Sequence, residues 1–311
     1  MLITGAARGI GAALARRLHQ RGAKVSLVGL EPELLQDVAA SCGNAPYRYC
    51  DVTVQRQVEE SVHGIARELG GLDIVIANAG IGAQMAMVGG DVDVMRRTLD
   101  VNVMGVFHTL RAAGEYIGHE RGYALAISSA AAAAHLPLMG PYCASKAAVE
   151  ALGNTFRVEM KHLGTKVGIG YFGELDTDMT HIGFGTQAAA KIKRLGRFTR
   201  VTPLSDAIDR FEVGIARRQR LVFAPAWVGL MLPARMAVQR LVEWRPQPNM
   251  AEALRISRSE GAPLTTRQPS ENPAHSVPAP TVRPPAENSV TTSRPPSENS
   301  VPRPTRRPWA S

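Results

Sequence analysis

The fold of this chain is decided by its first eleven residues, MLITGAARGIG, numbered 1–11. A short apolar stretch ends at Thr4, and a turn with glycines at positions 5, 9 and 11 leads into a helical pattern of apolar residues. Glycines let the backbone approach a pyrophosphate closely, and the start of a helix offers unpaired N–H groups to it. The spacing differs from the dinucleotide fingerprint G-x-G-x-x-G, and tight turns use glycine in any case. Alone, the stretch predicts a strand, a turn and a helix.

Short apolar runs alternate with helical stretches along the rest of the chain, which predicts an α/β fold with a doubly wound parallel sheet of about seven strands. We expect strands at residues 1–4, 24–29, 47–50, 73–77, 123–128, 166–172 and 221–224. We expect helices at residues 9–21, 31–41, 54–69, 92–116, 141–163, 203–218 and 226–242. Most of the strands are continuously apolar, as strands are when helices cover both faces of a sheet. Ligands of such sheets lie at the carboxyl ends of the strands.

A second motif joins Tyr142 and Lys146, which stand four residues apart and therefore on one face of a helix. A free phenol has a pKa of about 10, and a nearby lysine cation lowers that pKa towards the range useful for acid–base catalysis at neutral pH. Ser129, at the end of a predicted strand, could bind a substrate oxygen beside the phenol. Taken alone, the pair also fits an ordinary exposed helix face.

Together with the NAG triplet at residues 78–80 and with Asn102, these motifs resemble the short-chain dehydrogenase/reductase family. The TGxxxGxG loop, the NAG triplet, a serine and the YxxxK pair follow one another here in the family's order, and the resemblance covers roughly residues 1–225. It implies a Rossmann-type fold and an NAD(P)-dependent oxidoreductase that interconverts an alcohol and a ketone or aldehyde. It also implies a homo-oligomer built through the helices that carry Asn102 and Tyr142.

The resemblance implies four catalytic residues. Tyr142 would exchange a proton with the substrate oxygen, and Lys146 would lower the pKa of Tyr142 and bind the nicotinamide ribose. Ser129 would orient the reacting oxygen. Asn102 would bend its helix and hold a water that relays protons through Lys146, although a polar residue that only bends the helix is the alternative.

Cofactor contacts are implied in the same way. The phosphates would be bound by Gly5, Arg8, Gly9, Ile10 and Gly11, and the adenine would be flanked by Asp51 and Val52. The cofactor cleft would be lined by Asn78, Ala79 and Gly80. The nicotinamide half would be bound by Tyr142, Lys146 and Thr177. Thr177 would bind the carboxamide. The family usually has Pro-Gly where this chain has Phe172-Gly173, so the wall beside the nicotinamide departs from the family pattern.

The sequence favours NADP over NAD only slightly. An acidic side chain at the end of the second strand binds the ribose 2′-hydroxyl of NAD. This chain has Gly29 there, which neither binds a hydroxyl nor repels a phosphate. Arg8 could meet a 2′-phosphate, while Glu31 could still reach a ribose.

We expect a lid over the substrate pocket at about residues 178–200, with apolar side chains on both walls of the pocket. These side chains are Met179, Ile182, Phe184 and Ile192 in the lid and Leu136, Leu138 and Met139 opposite. Such a pocket favours a hydrophobic alcohol or ketone, such as a steroid-, retinoid- or lipid-like compound, over a sugar. His135 is expected to be a loop residue.

The apolar stretch at residues 226–244 is interrupted by Pro233, Arg235 and Arg240. A membrane-spanning helix needs about 20 mostly apolar residues, which excludes a span here. Two interpretations stay open: an amphipathic helix that caps the substrate pocket, and an interfacial helix that lies on a membrane with Trp227 and Trp244 near the headgroups.

Composition divides the chain into a domain at residues 1–245 and a tail at residues 246–311. The tail is rich in Pro, Ser, Glu, Asn and Arg and has few large apolar residues, so we predict that it is disordered apart from a short helix near residues 250–257. The net charge of +9 belongs partly to this tail. No aromatic residues interleave with the basic ones, so nucleic acid is not an expected partner.

The three cysteines, Cys42, Cys50 and Cys143, show neither metal-ligand spacing nor an even-numbered disulfide pattern. We expect buried, neutral thiols in a reducing cytoplasm, and the N-terminus does not resemble a signal peptide. We expect the protein to be cytoplasmic. If residues 226–244 lie on a membrane, we expect that contact to be peripheral.

Two functions compete at this point. The complete set of catalytic residues favours an active alcohol dehydrogenase or ketone reductase, because a relic is free to lose Tyr142 or Lys146. The alternative is a nucleotide-binding protein without turnover, either a sensor or scaffold or a truncated relic. It is favoured by a first strand that looks clipped, since only residues 1–3 precede the first motif, although a start codon placed too late would explain the same feature.

Overall fold

The computed structural model describes residues 1–192 and 201–261, which belong to one compact unit. Its centre is a seven-stranded sheet in the order β3-β2-β1-β4-β5-β6-β7. The strands are β1 (Leu2–Thr4), β2 (Ser26–Gly29), β3 (Tyr47–Tyr49), β4 (Ile74–Ala77), β5 (Tyr123–Ser129), β6 (Lys166–Phe172) and β7 (Leu221–Ala224). Every pair of neighbouring strands is parallel. The predicted Rossmann-type, doubly wound sheet is therefore confirmed, with each strand near its predicted position.

The helices also follow the predicted order. They are α1 (Gly9–Gln20), α2 (Pro32–Ser41), α3 (Gln55–Leu69), α4 (Val92–Leu99), α5 (Gly105–Gly114), α6 (Gly140–Glu159), α7 (Gln187–Ala190), α8 (Leu204–Ala216), α9 (Val228–Met231), α10 (Arg235–Trp244) and α11 (Met250–Glu260). Two predicted helices are divided in the structure: residues 92–116 into α4 and α5, and residues 226–242 into α9 and α10. Pro233 lies between α9 and α10, where its missing N–H prevents a continuous helix.

Two hydrophobic cores lie on the two faces of the sheet. Successive side chains of β1 point to opposite faces, so Ile3 packs with residues of α1 and α8 while Leu2 packs with residues of α3, α5 and α6. Both side chains are completely buried. The continuous apolar character of the central strands follows from this double cover, because helices exclude water from both of their faces. The edge strand β3, with Arg48 between two tyrosines, is only partly buried.

Between α4 and α5 the chain makes a π-helical turn, Asp100–Met104. Such turns are rare and occur often at functional sites. Asn102 lies inside this one and is completely buried. The structure thus interrupts the predicted helix at the residue that the family resemblance singles out.

The boundary predicted at residue 245 is wrong for the segment that follows it. Helix α11, near the short helix predicted at residues 250–257, packs against the rest of the fold with Ala253 completely buried. Its apolar residues Leu254 and Ile256 find partners that composition alone does not reveal. The predicted tail beyond residue 261 lies outside the described residues. Among those that are described, no helix has the length and apolar character needed to cross a membrane.

Candidate active site

The glycine loop at residues 5–11 and the NAG triplet at residues 78–80 meet at the carboxyl ends of β1 and β4. The Thr4 hydroxyl oxygen accepts hydrogen bonds from the backbone N–H groups of Asn78 and Ala79, at 3.1 and 3.2 Å. The Asn78 side-chain amide donates to the backbone oxygens of Thr4 and Gly5, at 2.9 and 3.2 Å. The loops after β1 and β4, far apart in the sequence, are therefore joined by four hydrogen bonds.

The glycines of the first loop are required by its geometry. Gly5 and Gly9 have φ angles of 64° and 54°, in the left-handed region that favours glycine. A Cβ at Gly11 would lie 2.3 Å from the backbone oxygen of Gly5, while a Cβ at Gly9 would meet no atom within 4 Å. Gly9 lines the cavity described below. An anion could thus come close to bare backbone at the start of α1, which is the environment that a pyrophosphate needs.

Arg8 is not free to meet a phosphate. Its Nε donates to Glu31 Oε2 at 2.8 Å, its Nη2 contacts Glu31 Oε1, and its Nη1 lies 3.4 Å from Asp178 Oδ2. The Glu31 side chain is 17% exposed and lines the cavity beside Gly29. The slight preference for NADP therefore finds no support, because the charge that would attract a 2′-phosphate is held by a carboxylate.

The residues predicted to flank the adenine also line the cavity. The Asp51 carboxylate is buried and accepts hydrogen bonds from the backbone N–H and the hydroxyl of Thr53, at 2.9 and 2.8 Å. Val52 packs against Gly105, where a Cβ would lie 2.6 Å from a Val52 methyl group. These contacts fix the loop after β3 against α5.

The predicted catalytic residues converge from β5 and α6. Ser129 ends β5, and its hydroxyl donates to the backbone oxygen of Phe172 at 3.3 Å. Tyr142 and Lys146 lie in the first turns of α6, and the Lys146 Nζ is 5.6 Å from the centroid of the Tyr142 ring. Lys146 Nζ donates to the backbone oxygen of Ile127 at 3.0 Å, which fixes the ammonium beneath the phenol. All three residues line the cavity.

Asn102 connects the π-helical turn to both α6 and the loop after β4. Its Oδ1 accepts from the backbone N–H of Ile81 at 2.8 Å, and its Nδ2 donates to the backbone oxygen of Ile81 and to the hydroxyl of Ser145, each at 2.9 Å. A Cβ added at Gly80 would lie 3.2 Å from Asn102 Oδ1 and 3.5 Å from Lys146 Nζ. Asn102 is therefore a neighbour of Lys146, although in this structure its side chain mainly holds backbone in place.

The predicted lowering of the Tyr142 pKa is wrong for this structure. Burial raises the pKa of Tyr142 to about 12, although the neighbouring Ser129 hydroxyl acts in the opposite direction. Burial also lowers the pKa of Lys146 to about 8. Both groups therefore resist charging, because the same water exclusion that strengthens their interactions penalises the phenolate and the ammonium.

A cavity of about 560 Å³ joins the glycine loop to these catalytic residues. Its substrate-side wall includes the predicted residues Leu136, Met139, Met179, Phe184 and Ile192, and Thr177 lines it as well. The prediction is wrong for two residues: Leu138 is buried behind the wall, and Ile182 is about half exposed to solvent. His135 is exposed on a loop, as expected.

The sequence analysis did not identify several residues of the wall by number. Trp227, Met231, Val238, Leu241 and Val242, all from the region of α9 and α10, line the cavity. The amphipathic pattern of residues 226–244 is the signal that could have found them. These contacts place the segment against the cavity, which favours the capping interpretation.

Phe172 departs from the family pattern without disturbing the site, whereas Cys143 is the buried thiol that the sequence predicts. Phe172, at the position where the family usually has proline, stacks on Phe211 with ring centroids 4.1 Å apart and is buried in the core. Cys143, next to Tyr142, is a free and buried thiol whose pKa is raised to about 11 by burial. A thiol in that state is a poor nucleophile.

Comparison with known proteins agrees with this geometry. The family model described as short chain dehydrogenase matches residues 1–186. Glycine betaine reductase ATRR of Emericella nidulans is 35% identical over 200 residues, which are 63% of this chain and 16% of that protein. The mitochondrial borneol dehydrogenase of Lavandula x intermedia is 37% identical over 169 residues, 53% of this chain and 65% of that protein. The chain thus spans less than two thirds of each of these two relatives.

Among solved structures, the chain resembles a short chain dehydrogenase from Mycobacterium paratuberculosis bound to NAD. The TM-score is 0.63 at 25% identity, and the match covers 71% of this chain and 93% of that one.

Proposed function

Because this chain belongs to the short-chain dehydrogenase/reductase family of oxidoreductases, we propose that it interconverts a hydrophobic alcohol and its ketone or aldehyde by hydride transfer. One observation carries the proposal: a single cavity joins the glycine loop after β1 to Ser129, Tyr142 and Lys146. A polyol or sugar is a poorer substrate than an apolar compound, because the wall opposite the phenol is built from methionine, leucine and aromatic side chains.

NAD(P) is the cofactor that these residues would hold, with the glycine loop on its phosphates and Lys146 and Thr177 on its nicotinamide half. When bound, it supplies the carrier that takes or gives the hydride. The open space at Gly9 and the bare backbone at the start of α1 fit its pyrophosphate. The Arg8–Glu31 pair supports a preference for NAD, because a carboxylate beside Gly29 suits a ribose hydroxyl and repels a phosphate.

The protein's own groups handle the proton. In the direction of reduction, Tyr142 donates its phenolic proton to the substrate oxygen; in oxidation it takes that proton back. Ser129 holds the oxygen beside the phenol. Lys146 stabilises the phenolate electrostatically once the proton has left, and Asn102 keeps the loop of Ile81 and the start of α6 in register.

Thermal-shift binding followed by an activity screen tests this proposal. Wild-type protein should rise in Tm with NAD(H) more than with NADP(H), and a panel of hydrophobic ketones should then be reduced. Tyr142→Phe should keep cofactor binding and lose activity by about 10²- to 10⁴-fold. Tyr116→Phe is the matched control and should stay active, because the Tyr116 phenol lies just beyond the end of α5 and pairs with His63.

A folded wild type with no Tm shift for either cofactor would refute the enzyme proposal. That result would favour the alternative, a sensor, scaffold or relic without turnover. Normal cofactor binding with full activity in Tyr142→Phe would instead refute the role of the phenol.

A homo-oligomer is part of the proposal. Met104 and Phe107, beside and on α5, are 41% and 43% exposed, and Val158 on α6 is 74% exposed. Large apolar side chains on the outer faces of these helices support a subunit interface there. Light scattering after gel filtration should give a mass of at least two chains, and Phe107→Glu with Val158→Glu should give one.

We also propose that the protein contacts a membrane surface peripherally. Leu230, Met236 and Trp244, on α9 and α10, are 76%, 74% and 82% exposed, and Arg240 lies among them. Exposed apolar side chains with arginines beside them are typical of a helix that lies in the interface of a membrane containing anionic lipid. Sedimentation with vesicles containing phosphatidylserine should retain the wild type and lose Leu230→Glu with Trp244→Glu; equal binding by both would exclude this surface.

A further inference from the structure

Helix α11 packs against three segments that form the substrate side of the cavity. Ala86 follows β4, Leu138 precedes α6 and Ala188 belongs to α7, and together they form a small buried cluster. Leu254 and Ile256 of α11 pack against this cluster from behind. One helix therefore touches pieces of chain that are otherwise far apart in the sequence.

Hydrogen bonds from these segments also end on α11. The Glu260 carboxylate accepts from the backbone N–H groups of Gln187 and Ala188, at 2.9 and 3.2 Å. The Ser257 hydroxyl, in a residue only 7% exposed, accepts from the backbone N–H of Ala86 at 3.0 Å. Backbone donors that the segments cannot satisfy for themselves are thus satisfied by α11.

The segments held in this way carry the wall of the cavity. Thr186, Ala189, Ala190 and Ile192, in and around α7, line it, and so does Gln84 in the loop after β4. The Thr186 hydroxyl donates to Gln84 Oε1 at 2.7 Å, which joins the two segments to each other. The residues of α11 lie outside the lining, so they act on a substrate only through the wall.

Helix α7 needs this support because it has only four residues. A helix of one turn is unstable alone, and its first N–H groups lack partners within the helix. Glu260 supplies an acceptor with a negative charge at that end, which the helix dipole favours. The ion pair of Lys191 with Glu252, at 2.9 Å, is more than 40% exposed on both sides and adds little.

We propose that α11 positions the substrate-side wall of the active site, with Glu260 and Ser257 as its positioning residues. The substrate affinity of the enzyme then depends on a helix that lies beyond residues 1–186, the part that matches the family model. The effect on substrate rests on the proposed oxidoreductase function, whereas the effect on the wall does not.

Hydrogen exchange of the full chain tests the positioning without any substrate. In Glu260→Ala with Ser257→Ala, the amides of Ala86, Gln187 and Ala188 should exchange at least about fivefold faster, the factor expected for losing one hydrogen bond of ordinary net strength. Amides of β5 should be unchanged. Glu243→Ala, an exposed glutamate of α10 that lies outside the cavity lining, is the matched control. Unchanged exchange at the three amides would overturn the proposal.

Steady-state kinetics then test the consequence for a substrate found in the ketone screen. The double variant should raise the substrate KM about fivefold or more, change kcat by less than about twofold, and leave the Kd of the cofactor unchanged. Glu260→Gln, which keeps one oxygen acceptor, should fall between the wild type and Glu260→Ala. An unchanged KM in the double variant would overturn the proposal. If the screen finds no substrate at all, the function proposal fails, and hydrogen exchange still decides on the positioning.

Discussion

The ring of Phe184 packs edge-on against the ring of Tyr142, with the two centroids 5.0 Å apart and the planes at 69°. Gly82 makes this arrangement possible, because a Cβ at that position would lie 2.5 Å from Phe184 Cζ. The Phe184 ring therefore fills the space that a side chain at position 82 would occupy, and it contacts the Tyr142 phenol that we propose as the proton donor. The size of residue 82 decides where Phe184 stands, and Phe184 decides how much room a substrate has.

Changes at these two positions should alter substrate selectivity in opposite ways. Gly82→Ala should displace Phe184 towards the substrate and lower kcat/KM by about tenfold, since overpacking of this kind costs about 1–3 kcal/mol. Phe184→Ala should open the cavity and raise the kcat/KM ratio of bulky to small ketones. The measurement is kcat/KM over a size series of ketones, with Gly64→Ala, a change within α3 whose added Cβ would meet only ordinary contacts, as a control away from the site. Parallel losses for all ketones in Phe184→Ala would contradict the prediction.

Replacing Lys146 by methionine should stabilise the protein while abolishing its activity. The pKa of Lys146 is lowered from 10.5 to about 8 by burial, which corresponds to a penalty of about 3 kcal/mol for the charged form. The lost hydrogen bond to Ile127 offsets part of this, so we expect a gain of about 1–2 kcal/mol at pH 7 in urea unfolding.

The gain should also depend on pH. Because the folded pKa of Lys146 is the lower one, the unfolded chain binds more protons between pH 8 and pH 10.5, and wild-type stability rises with pH in that window. The advantage of Lys146→Met should be complete below pH 8 and shrink above it. A constant difference from pH 7 to pH 10 would show that the ammonium is not penalised.

Alcohol oxidation should accelerate with pH. Burial raises the pKa of Tyr142 to about 12, so the phenol is protonated at neutral pH and must lose its proton before it can accept one. Oxidative kcat/KM should therefore rise about tenfold per pH unit between pH 6 and 8, while ketone reduction, which uses the protonated form, stays flat. Initial rates in both directions at constant ionic strength give this result. A plateau of oxidation already below pH 7 would mean that the phenol pKa is lowered, as the sequence predicted.

Neutralising Glu31 should shift cofactor preference towards NADP. In Glu31→Gln the Arg8 guanidinium loses its nearer carboxylate partner, keeps only the 3.4 Å contact of its Nη1 with Asp178, and so becomes available to a 2′-phosphate. The ratio of the dissociation constants for NADP and NAD should fall about tenfold, as expected for one hydrogen bond to a charged group. Titration with both cofactors measures it, and Glu33→Gln, an exposed residue in the first turn of α2, is the control. An unchanged ratio would show that Arg8 and Glu31 do not read the ribose.

The sequence predicts the sheet and the position of its ligand edge because these depend on local patterns. Short apolar runs, continuous in most cases, predicted all seven strands, and the motifs lie at strand ends, where Thr4 and Asn78 bind each other. The family pattern also identified Asn102. The periodicity of apolar residues does not predict that Asn102 lies in a π-helical turn.

What escaped prediction depends on contacts between distant segments. Leu138 and Met139 are adjacent and both apolar, yet only Met139 lines the cavity. Leu138 packs instead in the buried cluster that α11 contacts behind the wall. The pKa of Tyr142 was predicted from its one charged neighbour, whereas burial, a property of the whole fold, dominates it. The pairing of Arg8 with Glu31 likewise joins two loops that are separate in the sequence.

The π-helical turn at Asp100–Met104 makes this part of the chain sensitive to its length rather than only to its composition. Each residue of an α-helix advances the direction of its side chain by about 100°, so deleting one residue here would rotate α5 by that angle relative to α4. His108 would then leave the backbone oxygen of Val52, which its Nδ1 contacts at 3.0 Å, and Gly105 would leave the Val52 side chain. The loss of a single codon in this turn, with the reading frame kept, would therefore separate the loop after β3 from its support on α5.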